Sequence, residues 1–105
     1  MAIKELTAET FPSETTSGLV LVDFHATWCG PCKMQGPVLE TLAPAYEGRV
    51  RFVKADVDQL REAAIQYGVR SVPTLVLLRD GQPVETLVGY QTATALQRAL
   101  DAALA

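Results

Sequence analysis

Cysteine is almost missing from this 105-residue chain: there are two, alongside one histidine and one tryptophan. Two thiols and one imidazole fall short of the roughly four ligands a structural zinc site takes, so no metal site is expected. Long apolar runs are also missing, none approaching the ~18 residues of a membrane span. The start, Met1-Ala2-Ile3-Lys4-Glu5-Leu6, turns polar at once and shows no apolar core of an export signal. The cytoplasm is therefore the expected address. An excess of positive charge is absent too, and a net charge of −3 argues against nucleic acid or an anionic membrane as partner. Asparagine does not occur and Arg outnumbers Lys by 6 to 3. Such a bias can accompany heat tolerance, but a GC-rich genome explains it as well and is the preferred reading. No repeat, linker or low-complexity stretch divides the chain, so residues 1–105 are expected to form a single domain with one hydrophobic core.

What is present alternates between strand-like and helix-like segments. Ile3 to about Leu6 suits a short edge strand. Thr7 suits the cap of a short helix starting at Ala8-Glu9, which Pro12 should interrupt or restart and Ser17-Gly18 should end. Leu19-Val20-Leu21-Val22-Asp23-Phe24 reads as a buried strand. Pro31 to about Tyr46 reads as a helix whose stripe Met34, Val38, Leu39, Leu42 and Tyr46 should pack on a sheet, with a kink at Pro37 and a weak point near Pro44. Arg49 to Val57 reads as a strand parallel to the first buried one, and Gln59 to about Tyr67 as a helix stopped by Gly68. Thr74–Leu78 and Val84–Val88 flank Arg79-Asp80-Gly81-Gln82, and Asp-Gly between two such runs signals a hairpin. A last helix from about Thr92 to Ala102 carries Leu96, Leu100 and Leu104 on one side. The order β-α-β-α-β-α-β-β-α predicts an α/β fold, a mixed sheet with helices on both faces.

Both cysteines fall in Trp28-Cys29-Gly30-Pro31-Cys32-Lys33, where a strand hands over to a helix N-terminus. Amide groups there lack intrahelical partners and the helix dipole favours negative charge, so a thiol placed there ionises more readily. Two cysteines three residues apart at a helix start have Cα atoms about 5 Å apart, within disulfide range. The pair can open and close with little backbone movement, which is a redox switch. Cys29, nearest the helix end, is expected to be the more exposed thiol and the nucleophile. Cys32, one turn in, is expected to expel a bound partner. Pro31 suits the first turn, where its missing N–H is harmless, and Gly30 keeps the approach clear of side chains. A Cys29–His25 hydrolase leaves the second thiol unexplained. A purely structural disulfide closing so short a loop would add little stability.

Asp23 interrupts the apolar strand. Burial should raise its pKa toward values useful for proton transfer, which makes it a candidate proton acceptor for Cys32. The alternative is a carboxylate that caps nearby backbone N–H groups. Lys54, in the neighbouring strand, either faces Asp23 across the sheet or is a plain solvated lysine. Val72-Pro73 precedes a strand, and X-Pro statistics alone predict a trans peptide there.

These residues resemble the thioredoxin family. The match starts with Trp28-Cys29-Gly30-Pro31-Cys32-Lys33, a Cys-x-x-Cys motif near a βαβ pattern. It continues through Val22-Asp23-Phe24, Pro37, Val53-Lys54-Ala55-Asp56-Val57-Asp58, Tyr67-Gly68-Val69-Arg70-Ser71-Val72-Pro73-Thr74 and Val88-Gly89, spanning nearly the whole chain. The resemblance implies a thioredoxin fold, a five-stranded central sheet flanked by four helices. It implies a protein-disulfide reductase in which Cys29 attacks, Cys32 resolves, and Asp23 with Lys54 manages the proton. It further implies a cis Pro73, with the Val72 backbone pairing an extended substrate chain. Trp28, Val72, Pro73 and Gly89 would form a flat docking surface, with Gly30 and Pro31 completing the substrate-contacting set. No bound cofactor is implied; electrons would come from a thioredoxin reductase fed by NADPH or ferredoxin, and a monomer is expected. The competing reading is a thioredoxin-fold binding subunit whose surface, not its thiols, carries the function. Two departures stand out: His25 occupies a position where many members have a second Trp, and Gly36 one where Ala is common.

Overall fold

The computed structural model describes residues 3–105; Met1 and Ala2, the start of the polar N-terminus, lie outside the described residues. The sheet is built from β1 (Lys4–Glu5), β2 (Leu19–His25), β3 (Val50–Asp56), β4 (Thr74–Arg79) and β5 (Gln82–Val88). They lie in the order β1-β3-β2-β4-β5, with β1 and β2 parallel to β3, and β4 antiparallel to both β2 and β5. The helices are α1 (Phe11–Thr15), α2 (Gly30–Leu42), α3 (Arg61–Gln66) and α4 (Ala93–Leu104), with a short 3-10 helix at Ala43–Tyr46.

Strand alternation divides the apolar side chains between two faces. Val20, Val22, Phe24, Val53, Ala55, Val76 and Leu78 pack with Phe11 of α1 and Leu60 and Ala64 around α3. Leu21, Val50, Phe52, Leu75 and Leu77 pack with Leu39 and Leu42 of α2 and Leu96 and Leu100 of α4. The central strands β2 and β4 are covered on both faces, which is why their sequences are almost continuously apolar. By the same alternation Asp23 and His25 share the face of Leu21, on the α2 and α4 side.

Several boundaries differ from the sequence expectation, each for a local reason. The first helix begins at Phe11 and not at Ala8. Thr7 Oγ1 accepts the Thr10 amide at 3.2 Å and closes a turn, while Pro12 falls in the first turn of the helix that follows. The α2 segment changes to 3-10 geometry at Ala43, beside Pro44. Pro37 stays inside the helix, where it removes one ladder donor. Met34 does not join the packed stripe and is 62% exposed; the buried positions of α2 are Cys32, Gln35, Leu39 and Leu42. The rest of the expected stripe holds, with Leu39, Leu42 and Tyr46 buried and Val38 packed against them, while a polar side chain, Gln35, takes the inward place beside Met34.

The Asp-Gly hairpin forms as expected. Asp80 and Gly81 both have positive φ (51° and 84°), the mirror-image turn that matches strand twist. The turn is anchored at both of its central residues: Asp80 Oδ1 accepts the Gly18 amide at 2.8 Å and Tyr67 Oη donates to Gly81 O at 2.8 Å. Pro83 is accommodated because β5 is an edge strand, next to a register irregularity opposite Leu77 and Leu78.

Candidate active site

The carboxyl end of β2 runs into the turn Ala26-Thr27-Trp28 and then into α2. Cys29 is the N-cap residue, with extended backbone (φ −93°, ψ 113°), and its amide donates back to Ala26 O at 3.2 Å. The Cys29 sulfur occupies the place where a Ser or Asp oxygen usually caps a helix and accepts the Cys32 amide at 3.2 Å. Cys29 and Cys32 are joined as a disulfide with Cα atoms 5.3 Å apart, as their spacing predicts. Their exposures correct one expectation: Cys29 is 4% exposed and Cys32 8%, so the outer cysteine is not the more open one. Both are enclosed in a small cluster with Ala26, Val57 and Val72.

Three loops converge on this pair. The segment before β4 brings the Val72 carbonyl to 3.6 Å from Cys29 Sγ. The Val72–Pro73 peptide is cis, as the resemblance implies and against the trans expectation from X-Pro statistics; tertiary context, absent from those statistics, selects the isomer. The segment after β5 joins it through the Gly89 amide, which donates to Pro73 O at 2.8 Å. The loop after β3 supplies Asp58, whose Oδ2 accepts from Trp28 Nε1 at 2.9 Å. Trp28 is thereby held while 69% exposed. Val72 and Gly89 are half-buried. Pro73 is buried, so it offers less open surface than Trp28. Around Gly30 the space is open, and a Cβ there would meet nothing within 4 Å.

Asp23 is 1% exposed, and neither of its carboxylate oxygens has a hydrogen-bond partner. The alternative of a carboxylate capping backbone N–H groups is therefore overturned: flanking strands use the β2 amides in the ladder, and none points at this side chain. Burial pushes the Asp23 pKa up from 3.8 to about 6, while the positive charge of His25 and then of Lys54 oppose the rise and Glu5 adds to it. Lys54 stands beside Asp23 in the β2–β3 register, on the same face of the sheet, without forming an ion pair with it. Glu5 is the next residue across, opposite Lys54 on β1. The departure at His25 has a structural counterpart: its Nε2 lies 2.9 Å from both carboxylate oxygens of Glu5. Glu5, Lys54, Asp23 and His25 thus make a charged patch on the end of the sheet that feeds the cysteines.

Among the described residues there is no group of three or more His, Cys, Asp or Glu that could hold a metal ion. No helix among them is long and apolar enough to cross a membrane. The sequence pattern gives Glu5, Asp58 and Gln35 no role of their own. Gln35 nonetheless carries a signal: it is a polar residue three positions from Cys32 and four from Leu39, on the inward side of α2.

The family model described as Thioredoxin matches residues 2–102. The chain is similar to the thioredoxins of Staphylococcus aureus strains Mu50, MW2 and N315, each 52% identical over 101 residues, covering 96% of this chain and 97% of theirs.

Proposed function

This chain belongs to the thioredoxin family, is a thiol-disulfide oxidoreductase and reduces protein disulfides, and from that premise we propose how its residues divide the work. The observation that carries the reading is the Cys29 sulfur capping α2 and bonded to Cys32. In the dithiol form, an anionic Cys29 sulfur keeps the Cys32 amide and the positive end of the helix dipole as its stabilising partners. Cys29 attacks one sulfur of a substrate disulfide, forms a mixed disulfide and releases the other substrate sulfur as thiolate. The Cys32 thiol gives its proton to the Asp23 carboxylate, and the resulting thiolate attacks Cys29 Sγ. The bond from Cys29 to substrate breaks, and the second substrate sulfur leaves as thiolate. Two electrons pass to the substrate, whose thiolates take up protons, and the Cys29–Cys32 disulfide remains. That oxidised end state is the one described above.

Asp23 suits the acceptor role because its pKa of about 6 leaves it ionised at neutral pH yet able to hold a proton briefly. Lys54 and His25 supply the positive charge that keeps it from rising further. The substrate chain lies along Val72 as an added strand, over Trp28, Gly30, Pro31 and Gly89, with Pro73 as support. Residues 1–105 act as one domain and as a monomer, without a bound cofactor. A thioredoxin reductase in the cytoplasm restores the dithiol.

The test is a pair of variants. Cys29→Ser should abolish reduction of insulin disulfides by a thiol reductant. Cys32→Ser should accumulate mixed disulfides with protein substrates on non-reducing gels. Full activity in the first variant, or no trapped adducts in the second, would overturn the assignment of roles.

A further inference from the structure

Among the described residues Gln35 is one of four buried polar ones and is fully enclosed, at 0% exposure, on the inward side of α2. Its amide is spent entirely on one backbone unit of another element. Gln35 Nε2 donates to Gln91 O at 3.1 Å, and Gln35 Oε1 accepts the Gln91 amide at 2.7 Å. The pair imitates one rung of a sheet between a helix side chain and a loop. Gln91 in turn reaches back along its own loop, donating from Nε2 to Val88 O at 3.2 Å and to Gly89 O at 3.1 Å. From the other side, the Gly89 amide is bound to Pro73 O. The segment Val88–Gln91 is therefore fastened to the cis-proline loop at one point and to the cysteine-bearing helix at another.

That arrangement has a mechanical consequence. Gln35 is one turn after Cys32, on the same helix. A loop tied to this helix keeps a fixed distance from the disulfide, and its exposed side chains, Val88 and Tyr90, face the solvent on a held backbone. An apolar residue at position 35 would leave the Gln91 amide and carbonyl without these partners. The buried amide has no other work to do.

We propose that Gln35 is a positioning residue for protein substrates: it clamps the Val88–Gln91 loop to α2 and so sets the geometry of the docking groove beside Cys29. The proposal rests on the reading that Gly89 and its neighbours contact the substrate chain. It predicts a division between substrates. A protein disulfide, which needs the groove, depends on Gln35; a small aromatic disulfide, which needs only the sulfur, does not.

The experiment uses the full chain with Gln35→Leu, measured with insulin and with dithiobis(nitrobenzoate), and backbone amide exchange by NMR. KM for insulin should rise about 3- to 10-fold with little change in kcat, as expected for loss of one or two hydrogen bonds that act on binding. The rate with the small disulfide should stay within about twofold, and the Gln91 and Gly89 amides should exchange at least ~10-fold faster. Gln91→Ala keeps both backbone bonds to Gln35 and removes only those from its side chain to Val88 and Gly89, so it should leave the Gln91 amide protected. Gln35→Met, closer to Gln in length and flexibility, carries the same test if Gln35→Leu does not fold. Wild-type exchange at Gln91 in Gln35→Leu would show that there is no clamp. Equal loss with both substrates would mean the residue acts on the thiols or on the fold. A control of Val88→Ser with Tyr90→Ser separates the two layers. If it raises the insulin KM while Gln35→Leu does not, the clamp fails alone; if neither moves it, the docking reading fails and takes the proposal with it.

Discussion

Replacing Asp23 by Asn isolates the energetic consequence of burying a carboxylate that no donor reaches. In the unfolded chain this acid titrates near 3.8; in the folded protein burial holds its proton until about pH 6. Between those values the unfolded state has already released the proton and the native state has not, so stability falls as pH rises. Below them both states are protonated and the penalty vanishes. Above them both are ionised and it is constant. At ~1.4 kcal/mol per pH unit, a rise from 3.8 to about 6 corresponds to a penalty of about 3 kcal/mol at neutral and alkaline pH. Asn carries no such term. Whatever fixed offset the amide introduces, the stability of Asp23→Asn relative to wild type should improve by about 3 kcal/mol between about pH 3 and pH 8, equivalent to roughly 10–20 °C in Tm. The assay is urea unfolding of the oxidised proteins across that range, with the disulfide intact in both. A stability difference that does not change with pH would refute the reasoning, since it would mean that Asp23 is solvated or hydrogen-bonded in solution. The same variant should resolve mixed disulfides more slowly at neutral pH. A group that weakens the fold and speeds the reaction is expected where function sets the residue.

His25→Gln removes the largest opposing charge from Asp23 and should move that carboxyl to a pKa above about 6. The acidic limb of the rate of mixed-disulfide resolution should then shift to higher pH, because the acceptor must be ionised to act. A limb that stays in place or moves down would contradict the charge patch as drawn. Gly36→Ala places a Cβ inside α2 where nothing lies within 4 Å. It should stabilise the protein by about 0.5–1 kcal/mol through the unfolded chain, measured by urea unfolding, and leave insulin reduction unchanged.

Much of this protein is legible in its order of residues because the informative features are local. The double-covered strands β2 and β4 announce themselves as apolar runs. The hairpin follows from Asp80-Gly81, since two consecutive positive φ angles leave few other residue choices. Cys29 and Cys32 need only their spacing and the strand-to-helix junction to predict a closable pair. Even Asp23, the proposed proton acceptor, is visible as a carboxylate set in an apolar strand. At the start of α1 two local signals compete, the Thr7–Thr10 turn delaying the helix to Phe11, whereas beside Met34 the inward place goes to Gln35, whose partner Gln91 is distant in sequence.

The sequence by itself determined the elements, the sheet they form and the chemistry they carry, because helical and strand periods, turn residues and the cysteine spacing act over a few positions. Only the tertiary structure decided that Asp23 has no donor, that His25 is claimed by Glu5, that Val72–Pro73 is cis and that Gln35 grips Gln91. Each of these depends on which backbone or charge arrives from another element, 20 and 56 residues away in the His25–Glu5 and Gln35–Gln91 pairs or across the sheet for Asp23 and Lys54. No window of sequence contains both partners of such a contact, so its energy cannot be read until the chain has folded.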